Sequence, residues 1–238
     1  MELTERQKLI LEKILDEYIE KAMPVSSQSL EKCYDFGICP AMIRIEMERL
    51  TDQGYLYQPF VSSGRVPTDE GYRFLVDKIM EERIPEFKGI NKVGKMLAAK
   101  EGDLLKFVSE MVGFLAQASS GVALFRFLDN DLSFKGGWEE VIKEPEFEDR
   151  SLIFHFSDFV KNLEESIDKL DFDSDSDMKV FIGKESPFKK GEDFSTISVR
   201  FRIPKEKETI ISIVGPKRMA YERNISLVNS LLKLMEKD

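Results

Sequence analysis

The chain is poor in the residues on which most enzyme chemistry depends. One histidine, His155, and two cysteines, Cys33 and Cys39, stand among 238 residues. Two cysteines are too few for a disulfide framework, and with neither a second C-x-x-C nor a histidine pair they make no zinc site. Buried or capping thiols are the expected roles. His155 lies in Leu152-Ile153-Phe154-His155-Phe156, an apolar setting that predicts a packed or half-buried ring rather than a catalytic one. No glycine loop of the P-loop or dinucleotide type occurs, and Ser62-Ser63-Gly64 lacks the first glycine of a nucleophile elbow. Asp171, Asp173 and Asp175 have the spacing that opens a calcium loop, yet Ser176 stands where glycine is required and Ile182 where the bidentate glutamate belongs. A solvated acidic loop is expected there. The residue types indicate neither an enzyme nor a metal or cofactor site.

Long apolar runs are also missing. None approaches the ~18 residues that a membrane helix needs, and Met1-Glu2-Leu3-Thr4-Glu5 is acidic where a signal peptide would be basic. A cytoplasmic protein with no membrane partner is expected. With 42% hydrophobic and 33% charged residues, the chain suits a soluble globular protein of one large or two small domains. Positive charge is scarce as well. The net charge is -9, and residues 1–83 hold eleven Lys/Arg against sixteen Asp/Glu, a balance of -5. Phosphate neutralisation supplies most non-specific affinity for nucleic acid, so a DNA-binding role requires the few cations to converge.

What is present centres on Cys39 to Arg73. Pro40 follows a possible N-cap at Cys39, apolar residues recur at Ile43, Met47 and Leu50, and Gly54 stops the pattern, which predicts a helix with one buried stripe. At about 100° per residue the stripe leaves Ala41, Arg44, Ile45 and Glu48 facing away, with Met42 and Arg49 on the flanks. Tyr55-Leu56-Tyr57-Gln58 and Ser62-Ser63-Gly64-Arg65-Val66 read as a two-stranded ribbon whose tip carries a glycine and a cation. Thr68 then caps another helix with an acidic first turn, Asp69-Glu70. Upstream, Thr4-Glu5-Arg6-Gln7 is a capping box opening a helix to about Ala22, and Ser26 is a plausible cap for a short helix ending near Tyr34. Short helix, turn with Gly37, second helix, ribbon: the order predicts a winged helix-turn-helix over residues 1–84. The candidate DNA contacts are Ser26, Ser27, Ala41, Met42, Arg44, Ile45, Ser62, Ser63, Gly64, Arg65, Thr68 and Arg73. Ser26 and Ser27 serve either a phosphate or ordinary capping. Arg44 suits a bidentate guanine contact, a phosphate clamp or an ion pair with Glu48 at i+4. Arg65 has fewer local partners and suits a minor groove.

These strings resemble the HrcA-type heat-inducible transcription repressors. The family opening L-x-x-R-Q-x-x-I-L-x-x-I is matched by Leu3, Arg6, Gln7, Ile10, Leu11 and Ile14, and P-V-x-S by Pro24, Val25 and Ser27. A-x-I-R-x-E-M is matched at Ala41, Ile43, Arg44, Glu46 and Met47, and S-x-G-R-V-P-T-D-x-G-Y-R runs from Ser62 to Arg73. In the reading helix Met42 replaces the family's threonine, Ile45 its asparagine and Cys39 its capping serine. The resemblance implies a repressor of heat-shock or chaperone genes that reads an inverted-repeat operator in double-stranded DNA as a homodimer. It also implies modulation by the GroEL chaperonin or temperature. The acidic module and the two apolar departures motivate a second reading, a winged-helix protein-interaction module that has lost specific DNA readout. A ligand-responsive transcription regulator is a third reading.

Residues 71–84 continue the module as a helix ended by Pro85, and 85–102 read as a connector. Asp103 is placed to cap a helix from Leu104 to Leu115 that is apolar on more than half its surface, and so buried under a sheet or against a second copy. Strands are expected over 121–127, 178–183, 195–203 and 208–214, with Lys205-Glu206-Lys207 at the last turn. An amphipathic helix or helix pair is expected over 149–170 and a closing helix over 218–237. The fold class is α+β: a winged helix followed by a reduced GAF-like antiparallel sheet with flanking helices, a sensor and dimerisation domain over 103–238. Looser family landmarks are Pro145-Glu146-Phe147 with Asp149, Ile182-Gly183, Ser195-Thr196-Ile197 and G-P-x-R-M-x-Y from Gly215 to Tyr221. The chain is shorter than those repressors, with room only for a loop between Phe127 and Trp138.

Overall fold

The computed structural model describes residues 3–91, 93–94, 104–129, 132–172, 177–202 and 208–235. It divides into two compact units, Met1–Glu81 and Glu82–Asp238.

The first unit is built from α1 (Glu5–Lys21), α2 (Ser27–Cys33), α3 (Pro40–Asp52), the strands β1 (Leu56–Tyr57) and β2 (Val66–Pro67), and α4 (Asp69–Glu81). The capping box of α1 is present: Thr4 Oγ1 accepts from the Gln7 backbone at 3.3 Å while Gln7 Oε1 accepts from the Thr4 backbone at 3.0 Å. Ile10, Leu11, Ile14 and Leu15 of α1 are wholly buried and meet Ile43, Met47 and Leu50 of α3. Each such side chain contributes about 1.5–3 kcal/mol. Pro40 starts α3, but the Cys39 side chain makes no capping bond; proline at the first helical position supplies the start and leaves the thiol idle. Cys33 and Cys39 are exposed rather than buried. One polar contact crosses this core. Gln7 Nε2 donates to the buried Glu46 Oε2 at 3.1 Å, and Arg49 donates to Glu46 Oε1 at 2.9 Å. Tyr34 closes α2 against α1 by donating to Glu17 Oε1 at 3.0 Å, and burial together with this bond pushes its phenol up to about 12.

The second unit places α5 (Leu104–Ser119), β3 (Val122–Phe127), β4 (Leu132–Gly136), α6 (Trp138–Val141), a 3₁₀ turn (Pro145–Glu148), α7 (Arg150–Ser166), β5 (Met178–Ile182), β6 (Phe194–Arg202), β7 (Glu208–Pro216) and α8 (Tyr221–Met235) in that order. The strands form one antiparallel sheet, β4-β3-β7-β6-β5, which gives the mixed helix-and-sheet class expected. Alternation along β3 turns Val122 and Leu124 toward α7, where Phe147, Phe156, Phe159 and Phe194 cluster with ring centroids 5.0–5.2 Å apart for Phe194 with Phe156 and Phe159. The apolar α5 packs on β3 and β4 and against α8, burying Phe107, Val108, Met111, Val112 and Leu115.

Two family landmarks meet at one corner. Arg218 is held between Glu146 (Nε to Oε1, 2.7 Å) and Glu144, so the G-P-x-R-M-x-Y segment clamps the Pro145–Glu148 turn. Burial opposes the Arg218 charge, but the two carboxylates outweigh it and leave the guanidinium more firmly protonated than usual. Tyr221 of the same segment and Ser195, from a third landmark, share a buried hydrogen bond of 2.7 Å, and the Tyr221 hydroxyl also reaches Lys217 O at 2.7 Å.

Several expectations need correction. Between Phe127 and Trp138 there is a strand, β4, in full register with β3 from Leu132 to Gly136; its alternation is short and half-exposed, the pattern of an edge. Within the stretch read as a connector, the Phe87 backbone donates to Ser230 Oγ at 2.9 Å and Ile90 is buried. The last helix starts at Tyr221 rather than Arg218, whose side chain is committed to Glu144 and Glu146. His155 lies on the exposed side of α7, because the stripe Phe156, Phe159, Val160, Leu163 turns it outward. Asp103, Asp173, Asp175, Ser176 and the turn Lys205-Glu206-Lys207 lie outside the described residues.

Candidate nucleic-acid interface

Helix α3 presents two chemically distinct sides. Ile43, Met47 and Leu50 are buried, whereas Ala41, Met42, Arg44, Ile45 and Glu48 are exposed. Among the described residues Arg44 has no ion-pair partner. The i+4 pair with Glu48 is not formed, and the only α3 ion pair found among them joins Arg49 to Glu46 at 2.9 Å. The Arg44 charge is therefore spent on no neighbouring carboxylate.

The segment from Gln58 to Arg65 folds back on itself. Gln58 Nε2 donates to Val61 O and Ser63 O, both at 2.9 Å, and Ser63 Oγ accepts from the Phe60 backbone at 3.0 Å. The turn thus has a fixed shape, with Phe60 and Val61 at its outer end, 75% and 98% exposed. Its base is locked to the start of α2. Val25 and Arg65 exchange backbone hydrogen bonds of 2.9 and 2.8 Å, and Gly64 approaches so closely that an added Cβ would lie 2.3 Å from Val25 O. Glycine is required here for space. Arg65 is half-buried and donates from Nε to Thr51 Oγ1 at 2.9 Å. It has a local partner, contrary to expectation, because the turn lies against the end of α3. That bond occupies one donor of five and aims the planar group.

The start of α2, the side of α3 and this turn enclose a groove of about 450 Å³. Seven of the twelve residues singled out in the sequence line it: Ser26, Ser27, Arg44, Ser62, Ser63, Gly64 and Arg65. Gln28, Met47, Gln58 and Val61 complete it; the turn's own hydrogen bonds place Gln58 and Val61, whereas Gln28 comes from α2 and Met47 from the buried stripe of α3. The lining holds two arginines and no carboxylate, in a chain with a net charge of -9. Ala41, Met42 and Ile45 lie outside the lining on the exposed side of α3. Ser26 Oγ accepts from the Ser29 backbone at 3.0 Å and so also serves as the α2 cap. Thr68 donates to Gly54 O at 2.6 Å and accepts from the Gly71 backbone at 3.2 Å, a capping role at α4. Arg73 is paired with Asp77 at 3.4 Å and does not join the groove. Two of the three arginines converge.

The described residues contain no group of three or more His, Cys, Asp or Glu side chains able to hold a metal ion, and no helix long and apolar enough to cross a membrane. Comparison with known proteins gives a consistent picture. A solved structure described as a hypothetical protein superposes with a TM-score of 0.77 at 20% identity, covering 99% of this chain and 98% of that one; the likeness is one of fold. The heat-inducible transcription repressor HrcA of Thermoanaerobacter sp. (strain X514) is 26% identical over 337 residues, covering 98% of this chain and 96% of the relative. An alignment longer than this 238-residue chain leaves segments of the relative without a counterpart here. The heat-inducible transcription repressor HrcA of Acetivibrio thermocellus is 39% identical over 127 residues, 52% of this chain and 36% of that one. The family model for the HrcA protein C-terminal domain matches residues 73–225, well over half the chain. The chain belongs to the HrcA family.

Proposed function

We propose that this protein is a DNA-binding transcriptional repressor of heat-shock or chaperone genes, acting in the cytoplasm and reading an inverted-repeat operator as a homodimer. Residues 1–84 serve as a winged helix, with α3 as the reading helix and the Gln58–Arg65 turn as the wing. Residues 103–238 serve as a GAF-like sensor and dimerisation domain, responsive to the GroEL chaperonin or to temperature. The observation that carries this reading is the groove lined by Arg44 and Arg65 without a carboxylate. Phosphate recognition requires converging cations, and an acidic chain that gathers two at one groove has a local field opposite to its overall charge. The winged-helix reading adds geometry: a reading helix enters the major groove while its neighbours hold the backbone. A dimer lowers the demand on each half-site, which suits a module with so few cations. The test is a mobility shift on a chaperone-gene promoter at low and at moderate salt. A preference over random duplex that falls steeply with salt is expected, and no preference at either salt rejects the reading.

A second reading has its own support. Met42, Ile45, Phe60 and Val61 are exposed apolar residues around the same groove, a surface suited to a protein partner. Replacing Arg44 and Arg65 by alanine separates the two: a repressor loses DNA, and an interaction module keeps its partner.

A further inference from the structure

Met42 and Ile45, the two apolar departures from the family string, are on the outer side of α3, in its first turn and a half. Met42 is 39% and Ile45 41% exposed, and i, i+3 spacing makes them neighbours on the helix surface. Neither side chain belongs to the buried stripe of Ile43, Met47 and Leu50. Leaving them in water costs apolar hydration, and a binding surface recovers it. Neither side chain offers a hydrogen-bond donor or acceptor to a base edge beyond the weak thioether of Met42. In the major groove one apolar group marks a base, the C5-methyl of thymine.

We infer that Met42 and Ile45 form an apolar clamp that reads thymine methyl groups in the major groove, so that thymine-rich half-sites are selected by methyl contact rather than by paired hydrogen bonds. The inference rests on the DNA-binding reading above and names the base chemistry of that site. Charge complementarity selects DNA over an apolar protein surface as the occupant. Arg44 is exposed on the same helix, one residue before Ile45, with no ion-pair partner among the described residues, and lines a groove that holds a second arginine and no acid. An apolar protein patch would leave that guanidinium desolvated and unpaired, whereas a phosphate or a guanine edge accepts it.

The test replaces thymine by uracil throughout the bound half-sites of the promoter fragment, which removes the methyl groups and leaves the hydrogen-bonding edges unchanged. Two apolar side chains each covering about one methyl predict a roughly tenfold loss of affinity. The full-length double variant M42T/I45N should bind the thymine and uracil fragments within about twofold of each other. Both positions are exposed, and circular dichroism checks that the variant is folded. Equal binding of the two fragments by the unsubstituted protein overturns the methyl clamp while leaving specific DNA binding in place. An undiminished uracil penalty in the double variant overturns it too, by showing that DNA shape or other residues sense the methyl. Absence of any promoter preference removes the DNA-binding reading and the clamp with it.

Discussion

Gly64→Ala is the most informative single substitution in the first unit. A Cβ at this position would stand 2.3 Å from Val25 O, 2.4 Å from Val25 C and 2.8 Å from Pro24 C, all backbone atoms, where real Cβ contacts essentially never fall below 3.0 Å. Backbone cannot swing aside as a side chain does, so relief requires the turn to separate from Val25. That breaks the two Val25–Arg65 backbone hydrogen bonds. At about 0.5–1.5 kcal/mol net for each bond, the loss is roughly 1–3 kcal/mol. For a unit of about 80 residues this corresponds to a fall in melting midpoint of roughly 5–20 °C. The chain provides separate reporters: five of its six tyrosines precede residue 73, whereas the sole tryptophan, Trp138, lies in the second unit. Thermal unfolding followed by tyrosine signal should shift in Gly64→Ala while the Trp138 transition moves by less than about 2 °C. Exposed Ser62→Ala is the control and should shift neither. A tyrosine midpoint within about 1 °C of the parent protein would refute the close approach of Gly64 to Val25, and with it the claim that the turn is held in place.

Arg44→Ala and Arg65→Ala should each weaken operator binding roughly 5- to 100-fold and reduce the salt slope by about one, whereas Arg73→Ala, already paired with Asp77, should change it by less than about threefold in the same titration. The Tyr34 phenol carries a pKa raised to about 12, above the ordinary value of about 10, so the neutral form favours the fold. Its contribution is complete below pH 10 and is lost as pH rises toward 12; urea unfolding at pH 9 and pH 11.5 should show this fall, and Tyr34→Phe should abolish the part due to this residue. Arg218→Ala leaves Glu144 and Glu146, each about a quarter exposed, without their shared cation, and should destabilise the second unit by about 1–3 kcal/mol, read as an earlier Trp138 transition.

Helix α3 was the most legible part of the sequence. Rotation by 100° per residue assigns Ile43, Met47 and Leu50 inward and Ala41, Arg44, Ile45 and Glu48 outward, and the burial pattern agrees at all seven positions. Glu46 was not legible. The periodicity has no term for a buried carboxylate whose partner, Gln7, is 39 residues away. The Arg65–Thr51 bond escaped for the same reason, since it depends on where the turn lands against α3. Strand β4 was missed because an exposed edge strand of five residues has little hydrophobic alternation to display. In the groove, residue type pointed to the arginines and serines, but only the fold excludes Arg73, on α4, and brings in Gln28 from α2 and Gln58 from the turn.

The corner where Arg218 meets Glu144 and Glu146 bears on how a warmed cell would act on such a molecule. The hydration that opposes burying charge weakens on heating, while the gain from burying oil-like surface levels off. A joint made of charge is thus among the last to fail in a heat shock. Thermal sensing, if it resides in this half of the chain, has to begin away from that joint, and the half-exposed outer strand Leu132–Gly136, paired on one side only, is the described place to look for the first melting.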